Sequence, residues 1–388
     1  MDGVLKKSRV DWVLVLALLS LFGAGLLTMK ALGGFSAGLG IGDNYFFNRQ
    51  VIWLGLGLLL FFFASSVDWR FLRNGWILLA FYLFGILVLA GLLALGQGIR
   101  GARAWYTLGV FSFEPAEFMK LVLILVLAKY FSRRHVEIAH AKHVIVSGLY
   151  ALLPAFLVFL QPDLGSALIF AAIWFGMILV SGVSKKHLFG VIALALTVVL
   201  ASWFYLLAPY QKDRILTFLN PLSDPRGAGY NALQSMIAVG SGEFWGQGIG
   251  YGTQSRLEFL PEHQTDFIFA AFAEEWGFFG VSVLFLVFGA VFWRILKASR
   301  SGQSNFEKLF GLGLVFFIFS HFIIHVGMNV GLLPITGISL PFLSYGGSHN
   351  ITLLLGLGIL MGMKRYGYES GANRLDEDIA IAGLTRFQ

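Results

Sequence analysis

Acidic residues stand at the starts of three apolar stretches of this sequence, where a membrane-spanning segment normally excludes charge. Glu117 lies in "FEPAEFMKL", Asp163 in "QPDLGSA" and Asp266 in "TDFIFA". The helix macrodipole explains any one such acid, because it favours carboxylates at helix N-termini by about 0.3–1 kcal/mol. Ionisable residues near membrane depth are also candidates for function, and three of them at one face of the membrane indicate a reaction site.

Basic residues accompany these acids. Lys120 follows Glu117 by three residues on the same helix face, so the two could form either a structural ion pair or part of a site. Arginine also suits bidentate binding of phosphate. Carboxylates together with arginines fit a reaction on an anionic, lipid-linked substrate. The other basic residues that we place on the same face are Arg100, Arg103, Lys212, Arg214, Arg226 and Arg256.

The elements that must position these residues are membrane helices. The 388 residues are 57% hydrophobic and 13% charged, about half the charge of a soluble domain. We predict an all-α polytopic membrane protein with ten transmembrane helices, since each of ten stretches has the length of about 20 apolar residues that spans a bilayer. The stretches lie near 11–32, 50–67, 75–96, 116–132, 144–161, 164–182, 187–207, 266–293, 309–333 and 346–363.

The basic residues predict the topology. Most of the 28 Lys and Arg fall in connections on one side, which places both termini in the cytoplasm. Even-numbered helices then begin at the outer face, where the three acids meet. We predict a single domain over residues 1–365, with a large outer loop at 208–265 between helices seven and eight. A polar, weakly structured cytoplasmic tail follows at 366–388.

Several function classes are excluded. The chain has no cysteine, so it forms no disulfide and no cysteine-based metal site. The predicted cytoplasmic connections are too short for a nucleotide-binding domain. The net charge of +7 is explained by topology, and no basic stripe with interleaved aromatics indicates nucleic-acid binding.

Polar residues in helices eight and nine need an explanation of their own. His321, His325 and Asn329 share one face of helix nine, which suits a metal but more often forms a seam of interhelical hydrogen bonds. In helix eight we expect one of Glu274 and Glu275 to make structural hydrogen bonds.

Small residues recur in helix eight at a helical period. They predict that Asp266 faces the bundle, because small residues let neighbouring backbones approach closely. These residues are Ala270, Ala273, Gly277 and Gly280.

Four segments carry a resemblance to a known family: "RGARAWYTLGVFSFEPAEFMKL", "QPDLGSAL", the stretch from "RILTFLNPLSDPRGAGYNALQ" through "FLPEHQTDFIFAAFAEEWG", and "GLLPITGISLPFLSYGGS". With them the chain resembles the SEDS family (shape, elongation, division and sporulation proteins) from helix one to helix ten. The variants "GSG", "GTQSRLEFLPE" and "LPITGISLPF", with the short N-terminus, are more similar to the elongation-type branch than to the division-type branch.

The resemblance implies a glycosyltransferase that joins lipid II units into glycan strands at the outer face of the bacterial cytoplasmic membrane. Its implied partners are a class B penicillin-binding protein, which crosslinks the strands, and the elongation complex. Asp266 matches the family's essential aspartate, and Glu117 with Lys120 matches its polar pair in helix four. Asp163 matches its acid at helix six, and Arg103 a basic residue of its first outer motif.

For such an inverting transfer we expect Asp266 to act as the general base on the acceptor 4-hydroxyl. Outer basic residues such as Arg214 and Arg256, helped or not by a divalent cation (Mg²⁺ or Mn²⁺), would stabilise the departing undecaprenyl pyrophosphate. His263 lies beside Asp266 and could orient a substrate or the base. However, "EHQTD" exchanges the family's histidine with its variable position, so the role of His263 does not follow from the resemblance.

Three alternatives remain open. A lipid II flippase would place titratable residues along a transmembrane path, which His321, His325 and Glu274 fit, whereas most polar residues here concentrate at the outer end. A non-catalytic scaffold for the penicillin-binding protein would not require acids at three helix starts. A division-type polymerase would share the same chemistry.

Overall fold

The computed structural model describes residues 10–33, 44–99, 102–108, 111–133, 141–205, 207, 209–221, 229–257, 259–260 and 262–384. A helix occupies each of the ten predicted apolar stretches, and three short helices lie within 208–265, the segment that the topology prediction makes the outer loop. The helices are α1 (Trp12–Gly33), α2 (Tyr45–Ser66), α3 (Gly75–Leu95), α4 (Pro115–Ser132), α5 (Ala141–Leu160), α6 (Leu164–Ser181), α7 (Lys185–Tyr205), α8 (Pro209–Leu219), α9 (Tyr230–Ser241), α10 (Thr253–Arg256), α11 (Ile268–Arg300), α12 (Asn305–Asn329) and α13 (Gly347–Leu384).

Eight helices of the described chain are long and apolar enough to cross a membrane: α1, α2, α3, α5, α6, α7, α11 and α12. The prediction of a helical membrane protein is therefore confirmed. Helix α4 is as long as α6 but carries Glu117, Lys120 and Lys129. It packs against α3, α5, α6, α12 and α13, and Glu117 and Lys120 are buried inside the bundle, whereas Lys129 is half-buried.

A small antiparallel sheet, which the sequence analysis did not predict, lies between α3 and α4. Its strands β1 (Gln97–Ile99), β2 (Ala102–Leu108) and β3 (Phe111–Phe113) pair in the order β1-β2-β3. The β2 sequence "ARAWYTL" holds the aromatic and β-branched residues that favour strands. The Tyr106 hydroxyl donates to the Val88 carbonyl at 2.9 Å, which ties the sheet to α3.

Helix α11 is broken at Gly277, where the sequence predicts one continuous helix. Gly277 has φ 63° and ψ −169°, a conformation that residues with a side chain avoid. The freed backbone groups pair with the outer loop: the Phe278 amide donates to Glu243 O at 2.9 Å, and the Gln247 amide donates to Glu274 O at 2.9 Å. A break of this kind is tolerated in a membrane protein only where other protein groups satisfy the backbone.

The break divides α11 into a short piece at 268–276, called the outer piece below, and a long piece at 278–300. Gly277 therefore belongs to the break and does not continue the predicted stripe of small residues. Helix α9 packs closely on the outer piece, since a side chain at Gly242 would collide with the Ala273 carbonyl.

The C-terminal segment also differs from the expectation. Helix α13 continues from Gly347 to Leu384, through the stretch predicted to be weakly structured. The sequence "ESGANRLDEDIAIAGL" contains many good helix formers, and its polarity does not prevent it from extending an existing helix.

Candidate active site

Asp266 lies in a turn that precedes α11. The helix begins at Ile268, and the Thr265 hydroxyl before it donates to the Glu262 carboxylate at 3.1 Å. Asp266 is half-buried. Its Oδ2 lies 3.6 Å from the position that a Cβ atom would take on Gly337, which has φ 73°. The absence of a side chain at this position leaves space directly beside the Asp266 carboxylate.

Three neighbours hold the backbone of this turn. The Tyr345 amide donates to Gln264 O at 3.0 Å, and the Ser344 hydroxyl donates to Thr265 O at 2.9 Å. The Asn329 side-chain amide donates to Asp266 O at 3.0 Å. Consecutive carbonyls are thus bonded to α12 and to the loop before α13, so the Asp266 carboxylate starts from a fixed backbone.

Helix α12 is the predicted helix nine, and its polar face, formed by His321, His325 and Asn329, provides this support. Asn329 also accepts a hydrogen bond from the Ala270 amide at 3.2 Å, which links α12 to α11. His325 Nδ1 donates to Ile338 O at 2.6 Å, and His321 Nδ1 donates to Ser339 O at 3.1 Å, because a carbonyl oxygen can only accept. The Asn329 bond to Ala270 joins two helices, as the predicted seam requires, whereas the two histidine bonds fix the loop that contains Gly337.

Glu117 and Lys120 form a buried ion pair, with the Lys120 ammonium 2.6 Å from Glu117 Oε1. Lys120 also lies 3.3 Å from His321 Nε2, which accepts since Nδ1 is the donor. His349 Nδ1 lies 2.8 Å from Glu117 Oε2, and its ring stacks on His321 at 4.4 Å. The sequence analysis singled out the other three residues but not His349, whose place in "GGSHN" gives no periodic signal that would link it to α4.

The same cluster tests whether a divalent cation fits here. Glu117, His321 and His349 offer ligand atoms within 4.8 Å of one another. The Lys120 ammonium, however, stands within hydrogen-bonding distance of two of them. A metal ion at this point would meet that positive charge, so these residues do not fit a metal site.

Further acids meet at the starts of α4 and α6. Asp163 caps α6, where its carboxylate accepts from the Ser166 amide at 2.9 Å. Glu114 occupies the N-cap position of α4 and is half-buried. It was not among the residues predicted from the sequence. Burial, together with the nearby negative charges of Glu117 and Asp163, raises the pKa of Glu114 to about 8. The start of α6 also touches the Gly337 loop, because a Cβ atom on Gly165 would lie 2.9 Å from the Thr336 carbonyl.

Glu274 and Glu275 both make structural hydrogen bonds, where the sequence predicts only one. Glu274 accepts from the Gln254 amide at 2.7 Å and from the Ser255 hydroxyl at 2.7 Å. Glu275 accepts from the Gly250 amide at 2.8 Å. The two carboxylates therefore hold the outer loop on the outer piece of α11, away from the acids at α4 and α6.

The predicted basic residues and His263 lie in segments that the topology prediction places outside. Arg103 lies in β2 and Arg214 in α8, and their side chains are outside the described part, as are Arg100 and Arg226 entirely. Arg256 is half-buried at the end of α10. His263 Nδ1 donates to Leu260 O at 3.1 Å, so the ring is held to its own loop.

Comparison with known proteins identifies the family. Residues 11–369 match the family FTSW_RODA_SPOVE, described as cell cycle protein. The chain belongs to this family. Stage V sporulation protein E of Bacillus subtilis strain 168 is 36% identical over 365 residues, which cover 93% of this chain and 98% of the relative. The peptidoglycan glycosyltransferase MrdB of Escherichia coli K12 is 34% identical over 92% of this chain and 94% of the relative.

Two solved structures agree with the fold. A chain from the structure titled "Structural coordination of polymerization and crosslinking by a peptidoglycan synthase complex" superimposes with a TM-score of 0.77 and 33% identity, over 92% of this chain and 98% of that chain. The rod shape determining protein RodA of Thermus thermophilus gives a TM-score of 0.68 and 29% identity, over 92% of this chain and 97% of that chain. This membrane protein is a peptidoglycan glycosyltransferase, as its curated relatives of that name are.

Proposed function

We propose that this protein polymerises lipid II into glycan strands at the outer face of the bacterial cytoplasmic membrane during cell elongation. It is a peptidoglycan glycosyltransferase, like MrdB of Escherichia coli K12. The observation that carries the site assignment is Asp266, a half-buried carboxylate on a backbone fixed by α12, with open space provided by Gly337.

In the proposed reaction the Asp266 carboxylate takes the proton from the acceptor 4-hydroxyl as its oxygen attacks the anomeric carbon of the donor sugar. The bond between that carbon and the pyrophosphate oxygen breaks, and undecaprenyl pyrophosphate departs with the electron pair. Attack opposite the leaving group inverts the anomeric configuration. The rigid turn favours this chemistry because a general base must be held within hydrogen-bonding distance of the proton it removes.

Positive charge near the leaving group is the second requirement of this reaction. Arg256, half-buried in α10, is the described arginine that we assign to the pyrophosphate, and Arg103 and Arg214 lie in neighbouring outer segments. A Mg²⁺ or Mn²⁺ ion could add charge there, at a position other than the Lys120 cluster.

The biological setting forms part of the proposal. The chain would cross the membrane ten times with both termini in the cytoplasm, and act with a class B penicillin-binding protein. A structural neighbour from a peptidoglycan synthase complex supports the partner. The variants "GTQSRLEFLPE" and "LPITGISLPF" support elongation in preference to division.

The test is polymerisation of purified lipid II by the protein together with its penicillin-binding partner. Asp266→Asn removes the basic carboxylate and nearly preserves its shape, so we expect folded protein that forms no strands. Asp213→Asn makes the same change at an exposed position of α8 and is the matched control, which should polymerise normally.

Equal strand formation by wild type and Asp266→Asn would refute the assignment and direct the search to Glu117 and Asp163. Absence of strands from both proteins, together with lipid II translocation in liposomes, would instead support a flippase.

A further inference from the structure

A cavity lies between α3, α4 and α5 at the end of the bundle away from Asp266. Its volume is about 180 Å³, far more than a single buried water needs. Lys129 lies twelve residues after Glu117 in α4, about 18 Å along the helix axis, so the cavity and the candidate active site are at opposite ends. Exposed Leu79 and Arg133 stand at its rim, so it opens on the surface of the bundle.

Three tyrosines line the cavity, and the hydroxyl groups of Tyr82 and Tyr130 are engaged in hydrogen bonds. The Tyr82 hydroxyl donates to Tyr150 O at 2.9 Å, and the two rings meet edge to face at 5.6 Å. The Tyr130 hydroxyl lies 2.9 Å from His143 Nδ1. Aromatic rings with one polar end are typical of the interface between a bilayer and water.

Two cations, Lys129 and Arg133, also line the cavity. Among the ion pairs of the described residues none includes Lys129 or Arg133, whereas the adjacent Arg73 is paired with Glu307 at 2.6 Å. Cations in the last turn of a helix complement its dipole. The dipole, however, does not account for a cavity beside them, and an anion would satisfy both charges.

We propose that this cavity binds the phosphate of an anionic phospholipid headgroup, with Lys129 and Arg133 contacting the phosphate. Leu79 provides an apolar exit for the acyl chains, and Leu83 continues it one turn further along α3; both are exposed. Basic cavities between transmembrane helices on the cytoplasmic side have the charge that anionic headgroups require. The assignment to the inner leaflet rests on the membrane orientation given under the proposed function. The binding of the phosphate does not depend on that orientation.

The test is titration of dioleoyl phosphatidylglycerol into the purified full-length protein in detergent, with bound lipid counted by native mass spectrometry. Dioleoyl phosphatidylcholine is the matched neutral lipid. Lys129→Gln/Arg133→Gln should weaken phosphatidylglycerol binding about 30-fold, and Lys129→Arg/Arg133→Lys should retain it. Lys185→Gln/Lys186→Gln removes two exposed charges at the start of α7 and should bind like wild type.

Three results would overturn the proposal. The first is equal phosphatidylglycerol affinity for wild type and the double glutamine variant. The second is an equal loss of affinity in the α7 control. The third is displacement of the lipid by glycerol phosphate at the same concentration, which would assign the cavity to a soluble phosphate. If the double variant does not fold, Arg133→Gln alone changes an exposed residue and should weaken binding about fivefold.

Discussion

Replacing Lys120 by Met tests the buried charge cluster directly. The Lys120 side chain is 0% exposed and that of its partner Glu117 is 6% exposed, with 2.6 Å between the charged atoms. Removing one member of a buried pair leaves the other charge uncompensated and costs about 3–5 kcal/mol. His349 keeps its contact with Glu117 at 2.8 Å and offsets part of this, so we expect a loss near the lower limit, about 3 kcal/mol.

The double variant Glu117→Gln/Lys120→Met separates charge from packing. It leaves no unpaired charge, so its cost should fall below the sum of the two single costs by about 2 kcal/mol. The assay is reversible unfolding in mixed micelles, followed by circular dichroism. Lys129→Met is the matched control in the same helix, and we expect its unfolding free energy to change by no more than about 0.5 kcal/mol. Additive single costs, or a Lys120→Met protein as stable as Lys129→Met, would refute the reasoning.

Four further predictions concern the supports of the site. Gly277→Ala should destabilise the protein by about 1–3 kcal/mol, because the alanine backbone is strained at φ 63° and its Cβ would collide with the Gly246 backbone. The control Gly289→Ala lies in the same helix with open space around it and should be neutral or stabilising in the same unfolding assay. Glu274→Gln should lower the free energy of unfolding by about 1.5–3 kcal/mol and increase proteolysis within residues 247–256, because the charged hydrogen bonds from the Gln254 and Ser255 amides are weakened. Unchanged cleavage would contradict this role of Glu274. Asn329→Ala should lower kcat for strand formation more than it raises KM, because it releases the Asp266 carbonyl, and a change in KM alone would argue against a positioning role. The pKa of Glu114 is raised above its ordinary value of 4.5 to about 8, so the folded protein keeps this proton where the unfolded protein loses it, and the free energy of unfolding declines as pH rises from about 4.5 to 8. Glu114→Gln should flatten this decline when unfolding is measured against pH, and an unchanged slope would exclude Glu114 as the cause of the decline.

The sequence alone located the candidate site at the level of helix starts. Acids in apolar segments are rare enough that Glu117, Asp163 and Asp266 stand out without any coordinates. Glu114 and His349 did not stand out, because their role depends on which segments meet. Glu114 becomes significant through its neighbours Glu117 and Asp163, and His349 through its contact with Glu117 across 232 positions of the chain.

Hydrophobicity also determined the helices, because a bilayer requires long apolar segments whatever their neighbours are. The break at Gly277 depends instead on tertiary structure. A glycine in an apolar helix is compatible with a continuous helix, and here the interruption is stable because the loop supplies backbone partners at Glu243, Phe244, Gln247 and Gly248. The position of Asp266 depends on Asn329 and on the loop at Gly337 in the same way. Local composition therefore determined which segments enter the membrane, whereas long-range hydrogen bonds decided where the helix breaks and where the Asp266 carboxylate is held.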